Sequence, residues 1–457
     1  MQRDSINFEQ GKIFSLFYKL LIPTLIGSLS ISAMTAIDGI FIGHGVGSMG
    51  VAAVNITVPI FQLFAGVGLM IGVGCSVVAS IQLSRQKKKV AQLNVSQALI
   101  FTTLFALFTC ALVLIYPTET VRMLGASENL KPQVIGYLKW LMPCFIFQMW
   151  SFIGLFIIRL DGSPRIAMWC NIIPALLNGI LDWIMIFPMQ LGLEGAAIAT
   201  SISISLGGLM TISYLLWKAK TMRLIWPKFS IKSIRLSIRN IGYQCRIGFS
   251  SLLGEMTLAI LVFIGNWVFM YYLGDDGVGA FGIACYYTPF FFMVGNAIAQ
   301  SAQPIISYNF GISCWTRIAE TRRLLLLFSA LSGTFVTIIF ILYPKELVAL
   351  FVDSNSVAGL IAIDGFPYFS LGVVCFILNV TLVGYYQSLE RVQIATLYVL
   401  LRGLFFLVPC FILLPRLIGV LGIWLAMPIS ELLTSIVIFF VHIFNGRQTT
   451  ISKNITH

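Results

Sequence analysis

Asp38, Asn178, Asp182 and Thr200 are polar residues placed inside long apolar runs of this 457-residue chain. A carboxylate at the centre of a membrane helix costs about 2.5–3.5 kcal/mol on insertion scales, so it persists where it has a partner or a task. Asn178 and Asp182 are four residues apart and therefore share one helix face. Ala196 and Thr200 have the same spacing at the start of the next apolar run. Two carboxylates, an amide oxygen and a hydroxyl form an oxygen-only set, suited to a hard monovalent cation or to one proton shared between the acids. Singly, each group could simply bond neighbouring backbone. As a group they predict a coupling-ion site.

Two further acids, Glu255 and Glu431, fall near the middle of later apolar runs, where a carboxylate could pair with a cationic substrate or serve a structural hydrogen bond. Met34, Phe64, Phe291 and Met293, with Gln303, are the candidate wall of an adaptable, largely apolar substrate cavity. Pro23 interrupts the first apolar run and is a candidate hinge, because proline removes a helical hydrogen bond. Enzymatic chemistry is poorly provided for: the histidines are His44, His442 and His457, and neither H-E-x-x-H nor G-x-S-x-G occurs. The nine cysteines lie mostly within apolar segments and form no C-x-x-C pair, so disulfide and zinc readings both fail. No catalytic residue, cofactor or bound metal is expected beyond a transported H⁺ or Na⁺.

The elements that must position these groups follow from composition. With 58% apolar and 10% charged residues, and a mean hydropathy of +0.93, the chain cannot hide its apolar surface in a water-soluble fold. A membrane helix needs about 20 mostly apolar residues. Apolar runs predict twelve spans, at 13–42, 51–81, 94–116, 134–158, 166–187, 195–217, 247–272, 279–308, 324–344, 360–386, 394–414 and 420–444. The first outlasts a signal-peptide core of about 7–15 residues, which predicts an uncleaved span.

Lys and Arg residues concentrate in alternate loops. Arg85 to Lys89, Arg159 and Arg165, the stretch 218–246, Arg317 to Arg323 and Arg447 fall on one side, and only Arg122, Lys131, Lys345 and Arg416 on the other. The positive-inside rule then places both termini in the cytoplasm of a multi-pass cell-membrane protein. The net charge of +12 is a topology signal, since no basic patch with interleaved aromatics suggests nucleic acid.

In that orientation Asp38, Asp182 and Thr200 each lie about five or six residues from the outer ends of their helices. At the helical rise that is on the order of 8–9 Å, a shared depth.

A repeat divides the chain. Tyr116, Pro117, Glu119 and Val121 recur 227 residues later (116 to 343) as Tyr343, Pro344, Glu346 and Val348. Pro188, Gly192, Gly195, Ala199, Ile202 and Ser203 recur at the same offset (188 to 415) as Pro415, Gly419, Gly422, Ala426, Ile429 and Ser430. The prediction is an all-α polytopic fold of two parallel six-helix bundles, 1–217 and 247–457. They are joined by a cytoplasmic connector, 218–246, that is either a surface-lying amphipathic helix or a solvated linker. Carried through the repeat, Asp38, Asn178, Asp182 and Thr200 become Gly265, Phe405, Pro409 and Met427, so the second half has no equivalent cluster. Such an architecture suits alternating access around a site between the halves.

Pro23 followed by Asp38-Gly39-Ile40-Phe41-Ile42-Gly43, and Asp161-Gly162-Ser163-Pro164 followed by Asn178, Asp182 and Leu191-Gly192-Leu193-Glu194-Gly195-Ala196 through Thr200, resemble motifs of the multidrug and toxic compound extrusion (MATE) family. Gln303-Pro304-Ile305-Ile306-Ser307-Tyr308-Asn309-Phe310-Gly311 and Tyr385-Tyr386-Gln387 are similar to its MepA-like bacterial branch. The resemblance covers nearly the whole chain. It implies a V-shaped pair of bundles and export of cationic, aromatic compounds by H⁺ or Na⁺ antiport. It also implies a cation site at Asp38, Asn178, Asp182, the Ala196 carbonyl and Thr200. Glu255 is similar to an acid some members carry in the seventh helix, whereas the partner acid of the tenth helix has no match around Val374 to Ile377. Expected partners are small cationic or amphipathic molecules and the bilayer, with the chain acting as a monomer. The alternative within the same superfamily, a flippase for a lipid-linked precursor, would need more intramembrane cations than Lys139 and Arg402.

Overall fold

A computed structural model describes residues 6–124, 126, 128, 130–226 and 230–455. Helix makes up most of the described residues, and no strand occurs among them. Helices satisfy their own backbone hydrogen bonds, which a bilayer demands of any spanning segment.

In chain order the helices are α1 (Ile13–Gly45), α2 (Ser48–Ser84), α3 (Lys88–Ile115), α4 (Pro117–Met123), α5 (Lys131–Leu141), α6 (Cys144–Leu160), α7 (Pro164–Ile186) and α8 (Gly192–Ser213). They continue with α9 (Ile231–Gly311), α10 (Trp315–Leu342), α11 (Pro344–Ala349), α12 (Val357–Ser370), α13 (Val373–Ser388), α14 (Val392–Leu400), α15 (Leu407–Ile418) and α16 (Val420–Ile455). π-Helical turns, Tyr214–Lys218 and Leu401–Phe405, extend α8 and join α14 to α15.

Nine helices are long and apolar enough to cross a bilayer, and the pairs α5–α6 and α12–α13, each bent by 52°, add one crossing apiece. The long α9 is broken at Gly274 (φ 65°, ψ −156°), a conformation open to glycine, so its arms 231–273 and 275–311 cross separately. Twelve crossings result among the described residues, as the apolar runs predicted.

The repeat is visible in the backbone. The Tyr-Pro-x-Glu-x-Val segments form the short helices α4 and α11, each with proline in its first turn. Gly192 and Gly419, equivalent positions, both hold positive φ, at 56° and 65°. Ser76 Oγ donates to Gln303 Oε1 at 3.0 Å, a bond between two positions that the repeat equates.

Large apolar side chains are exposed on the surface, and the mostly apolar interior also buries polar ones. Phe108, Ile115, Phe263 and Phe335 are well exposed, while Ser76, Asn94, Gln244 and Asn309 are buried. Small residues let helices touch: a Cβ on Gly248 would lie 1.7 Å from Met70 O, and one on Gly74 2.0 Å from Gln244 O.

By packing, the chain forms two compact units. The first comprises Met1–Glu255, Gln300–Arg322 and Gln387–Val392, and the second Met256–Ala299, Arg323–Tyr386 and Gln393–His457. The core of the first includes Val73, Val77, Val78, Ile81, Phe156 and Ile247. The core of the second is aromatic, with Phe269 stacked on Phe281 at 4.5 Å and edge-on to Trp424 at 4.9 Å.

The stretch 218–246 differs from expectation. Residues 231–246 form no separate surface helix; they are the first turns of α9, because nothing before Gly274 interrupts it. Residues 219–222 are held instead by buried Asp161, whose carboxylate accepts from the backbone N–H groups of Lys220 (3.3 Å), Thr221 (2.8 Å) and Met222 (3.1 Å) and from Tyr214 Oη (2.7 Å). Lys88 Nζ and Gln92 Nε2 donate to the carbonyls of Lys220 and Thr221. Residues 227–229, also within the expected connector, lie outside the described set, as do Arg3 and His457 at the termini.

Candidate functional site

Three helices of the first unit bring the predicted oxygens together. α1 and α7 pack side by side and in parallel: a Cβ on Gly27 would lie 3.0 Å from Asn171 Nδ2, and one on Gly45 2.1 Å from Ile186 Cγ2, so residue numbers rise together along the pair. That alignment sets Asp38 of α1 beside Asp182 of α7, with the carboxyl groups within hydrogen-bonding reach of each other. One turn back on α7, Asn178 Nδ2 donates to Thr200 Oγ1 of α8 at 3.3 Å. Ala196, one turn before Thr200, is fully buried, as are Asn178 and Asp182; Thr200 is 4% exposed.

The arrangement has more acceptors than donors. Asp38 Oδ1, both carboxylate oxygens of Asp182 and Asn178 Oδ1 are buried without a hydrogen-bond donor among the described residues. A carboxylate left in that state is costly, and two side by side are more so. A proton or a small cation between them would remove the deficit. Tyr137 of α5, 1% exposed, lies close enough to feel the charge of both aspartates. Sequence reasoning missed it, since a lone tyrosine in an apolar run has no spacing that marks it. Ser203, one turn beyond Thr200 on α8, adds another buried oxygen without a partner.

The residues expected to line a substrate cavity separate into two groups. Met34, Glu255 and Met293 are half-buried. No hydrogen bond or ion pair to Glu255 occurs among the described residues. The other four are buried and held by protein neighbours. Phe64 is fully buried, stacked on Phe145 at 4.2 Å. Phe291 is 3% exposed and packs edge-on against Phe340 and Phe376. Gln303 is 4% exposed and holds Ser76. Glu431, 3% exposed, is ion-paired to Arg402 at 2.8 Å rather than offering a free carboxylate. Residue type fixed what these side chains could do in a cavity but not which neighbour their helix face meets. Pro23 is buried inside an α1 that continues helical on both sides of it.

A protein-family model described as MatE matches the chain twice, over residues 23–184 and 251–412. The chain belongs to the MatE family. The two matches fall one in each half of the repeat, and the family resemblance drawn from Asp38-Gly39 and the Asn178 to Thr200 segment is borne out. Among curated relatives, the multidrug export protein MepA of Staphylococcus saprophyticus is 26% identical over 458 residues, covering 97% of this chain and 96% of that protein. The protein of the same name from Staphylococcus aureus strain N315 is 23% identical over 455 residues, with coverage of 97% and 96%. Among solved structures, a point mutant of the Vibrio cholerae MATE transporter VcmN superposes with a TM-score of 0.87 at 18% identity, covering 95% of this chain and 97% of that one. A MOP superfamily transporter from Pyrococcus furiosus matches with the same score at 20% identity, over 97% and 98%. At such identities these structures establish that the MatE-family chain shares their fold.

Proposed function

We propose that this MatE-family chain is a multidrug exporter of the cell membrane, in which entry of H⁺ or Na⁺ drives cationic, aromatic small molecules outward by alternating access. The observation that carries the coupling is the pair of buried Asp182 and half-buried Asp38, within reach of each other, with Asp38 Oδ1 and both Asp182 oxygens lacking donors among the described residues. The ion binds between these carboxylates, with Asn178, Thr200 and the Ala196 carbonyl completing its oxygen shell and Tyr137 at its edge. Its arrival removes the excess negative charge and so favours a packing of α1 against α7 different from the ion-free one. The multidrug export proteins among the relatives support the substrate class. Nothing in the chain suggests catalysis, and of the two intramembrane cations that a flippase reading would recruit, Arg402 is paired to Glu431.

The deciding experiment is export of a fluorescent lipophilic cation from proteoliposomes under separately imposed proton and sodium gradients. Export under one gradient identifies the ion; export under neither retires the antiport reading.

Both termini and the connector are proposed to be cytoplasmic. Arg223 and Asp275 are both exposed. Single cysteines at these positions in a Cys-free background should label from opposite sides of the membrane. Labelling of both from outside would break the twelve-span topology.

Glu255 is the acid proposed to meet the cationic substrate. A half-buried carboxylate with no partner among the described residues gains most from a ligand that brings a charge, through compensation of its lost hydration. Glu255→Gln should therefore weaken binding of a lipophilic cation several-fold while leaving a neutral compound of similar shape unaffected, at an unchanged melting temperature. Equal losses for the two ligands would assign Glu255 a structural role.

A further inference from the structure

Arg402, Glu431 and Asn379 form the buried charged cluster of the second unit that ion coupling leaves unused. Arg402 lies in the π-helical turn between α14 and α15, where the following Gly403 permits close packing: a Cβ there would lie 2.0 Å from Thr257 Cγ2. Its Nε and Nη2 donate to Glu431 Oε1 at 3.0 and 2.8 Å, and the guanidinium lies 4.3 Å from the centre of the Phe376 ring. The other carboxylate oxygen, Oε2, accepts from Asn379 Nδ2 at 2.7 Å, and Ser435 Oγ donates to Asn379 Oδ1 at 2.9 Å. Glu431 and Arg402 are 3% and 4% exposed, and Asn379 is fully buried.

The chemistry parallels that of the first half with one substitution. Both clusters join a carboxylate and an amide from neighbouring helices at buried positions. In the repeat, Asn178 corresponds to Phe405 and Thr200 to Met427; Arg402 stands three residues before the first and Glu431 four after the second. The second cluster is thus displaced along its helices by about one turn. The first cluster has acceptors without donors. In the second, the donors of a tethered cation satisfy the carboxylate.

We infer that Arg402 is a resident counter-cation: its guanidinium fills, in the second half, the place that a transported ion fills in the first, and thereby silences a latent cation site formed by Glu431, Asn379 and the face of Phe376. The comparison rests on the coupling reading; the chemistry of the latent site does not. A shorter neutral side chain at 402 would leave a buried carboxylate, one amide donor and an aromatic face around a gap the size of a guanidinium. A small monovalent cation fits that gap by charge and by cation–π attraction.

The test is chemical rescue of purified Arg402→Ala, read by thermal unfolding in detergent. Breaking the pair should lower the melting temperature on the order of 5–10 °C. Millimolar guanidinium chloride should restore at least half of that fall, whereas choline chloride and urea at equal concentration should not. Arg402→Ala/Glu431→Gln, which removes both charges, should not respond to guanidinium. Arg402→Gln provides the same readout if the alanine variant does not purify. Absence of cation-specific recovery in both single variants, or equal recovery in the double variant, would overturn the inference. The series repeated with Asp38→Asn separates the two sites: a rescue that disappears there belongs to the first half and defeats the inference. Conversely, a wild type that exports under neither a proton nor a sodium gradient, beside an Arg402→Ala rescued by guanidinium, would defeat coupling at Asp38 and leave Arg402's role standing.

Discussion

Asp38→Asn and Asp182→Asn should each reduce ion-driven export from the wild-type rate to that of empty liposomes, while the protein still folds. The two carboxyls lie within hydrogen-bonding reach, so on the proposed reading they hold the ion together. Removing either charge removes the excess of acceptors that makes ion binding favourable. Asparagine keeps the volume and brings a donor to the remaining carboxylate, which is why stability should be largely retained. The double variant should add little to either single one, the mark of residues acting as a unit. Transport assays under an imposed gradient, with melting temperatures measured alongside, decide the matter. A single variant that exports at the wild-type rate would place the coupling site elsewhere.

A second large effect is expected at Gly248. The Cβ of Gly248→Val would lie 1.7 Å from Met70 O and 2.6 Å from its carbonyl carbon, and the obstacle is backbone, which cannot rotate away. α2 and the first arm of α9 must therefore separate. Overpacking typically costs about 1–3 kcal/mol when side chains can yield, so this change should meet or exceed the top of that range. The melting temperature should fall on the order of 10 °C, or the protein should fail to purify. Gly242→Ala is the control on the same helix: nothing lies within 4 Å of a Cβ there. Replacing an unneeded helical glycine should be neutral, or stabilising by about 0.4–1 kcal/mol. Similar melting temperatures for Gly248→Val and Gly242→Ala would refute the close helix contact.

The twelve crossings were legible because a bilayer imposes a length and an apolar composition on every segment that crosses it. The repeat was legible because turn residues with special backbone needs, such as Gly192 and Gly419, must recur where the backbone recurs. The family followed from the motifs around Asp38 and Asp182. The approach of those two residues followed in outline from helix direction and depth: two helices running the same way, with acids equally far from their ends, need only pack together to join them. The start of α9 was less legible, because regularly spaced Lys and Arg mark an exposed helix face but do not say where that helix ends.

By itself, then, the sequence determined the all-helical membrane fold, the repeat, the family and the oxygen-rich character of the first half, since each depends on composition or on spacing along one chain. Tertiary structure alone decided the partners. It gave Glu431 the charge of Arg402, stacked Phe64 on Phe145 and used Asp161 to hold the exit of α8. These pairings join helices distant in sequence. Which face of one helix meets which face of another depends on how side chains of the whole bundle interlock, and no periodicity along a single stretch of sequence encodes it.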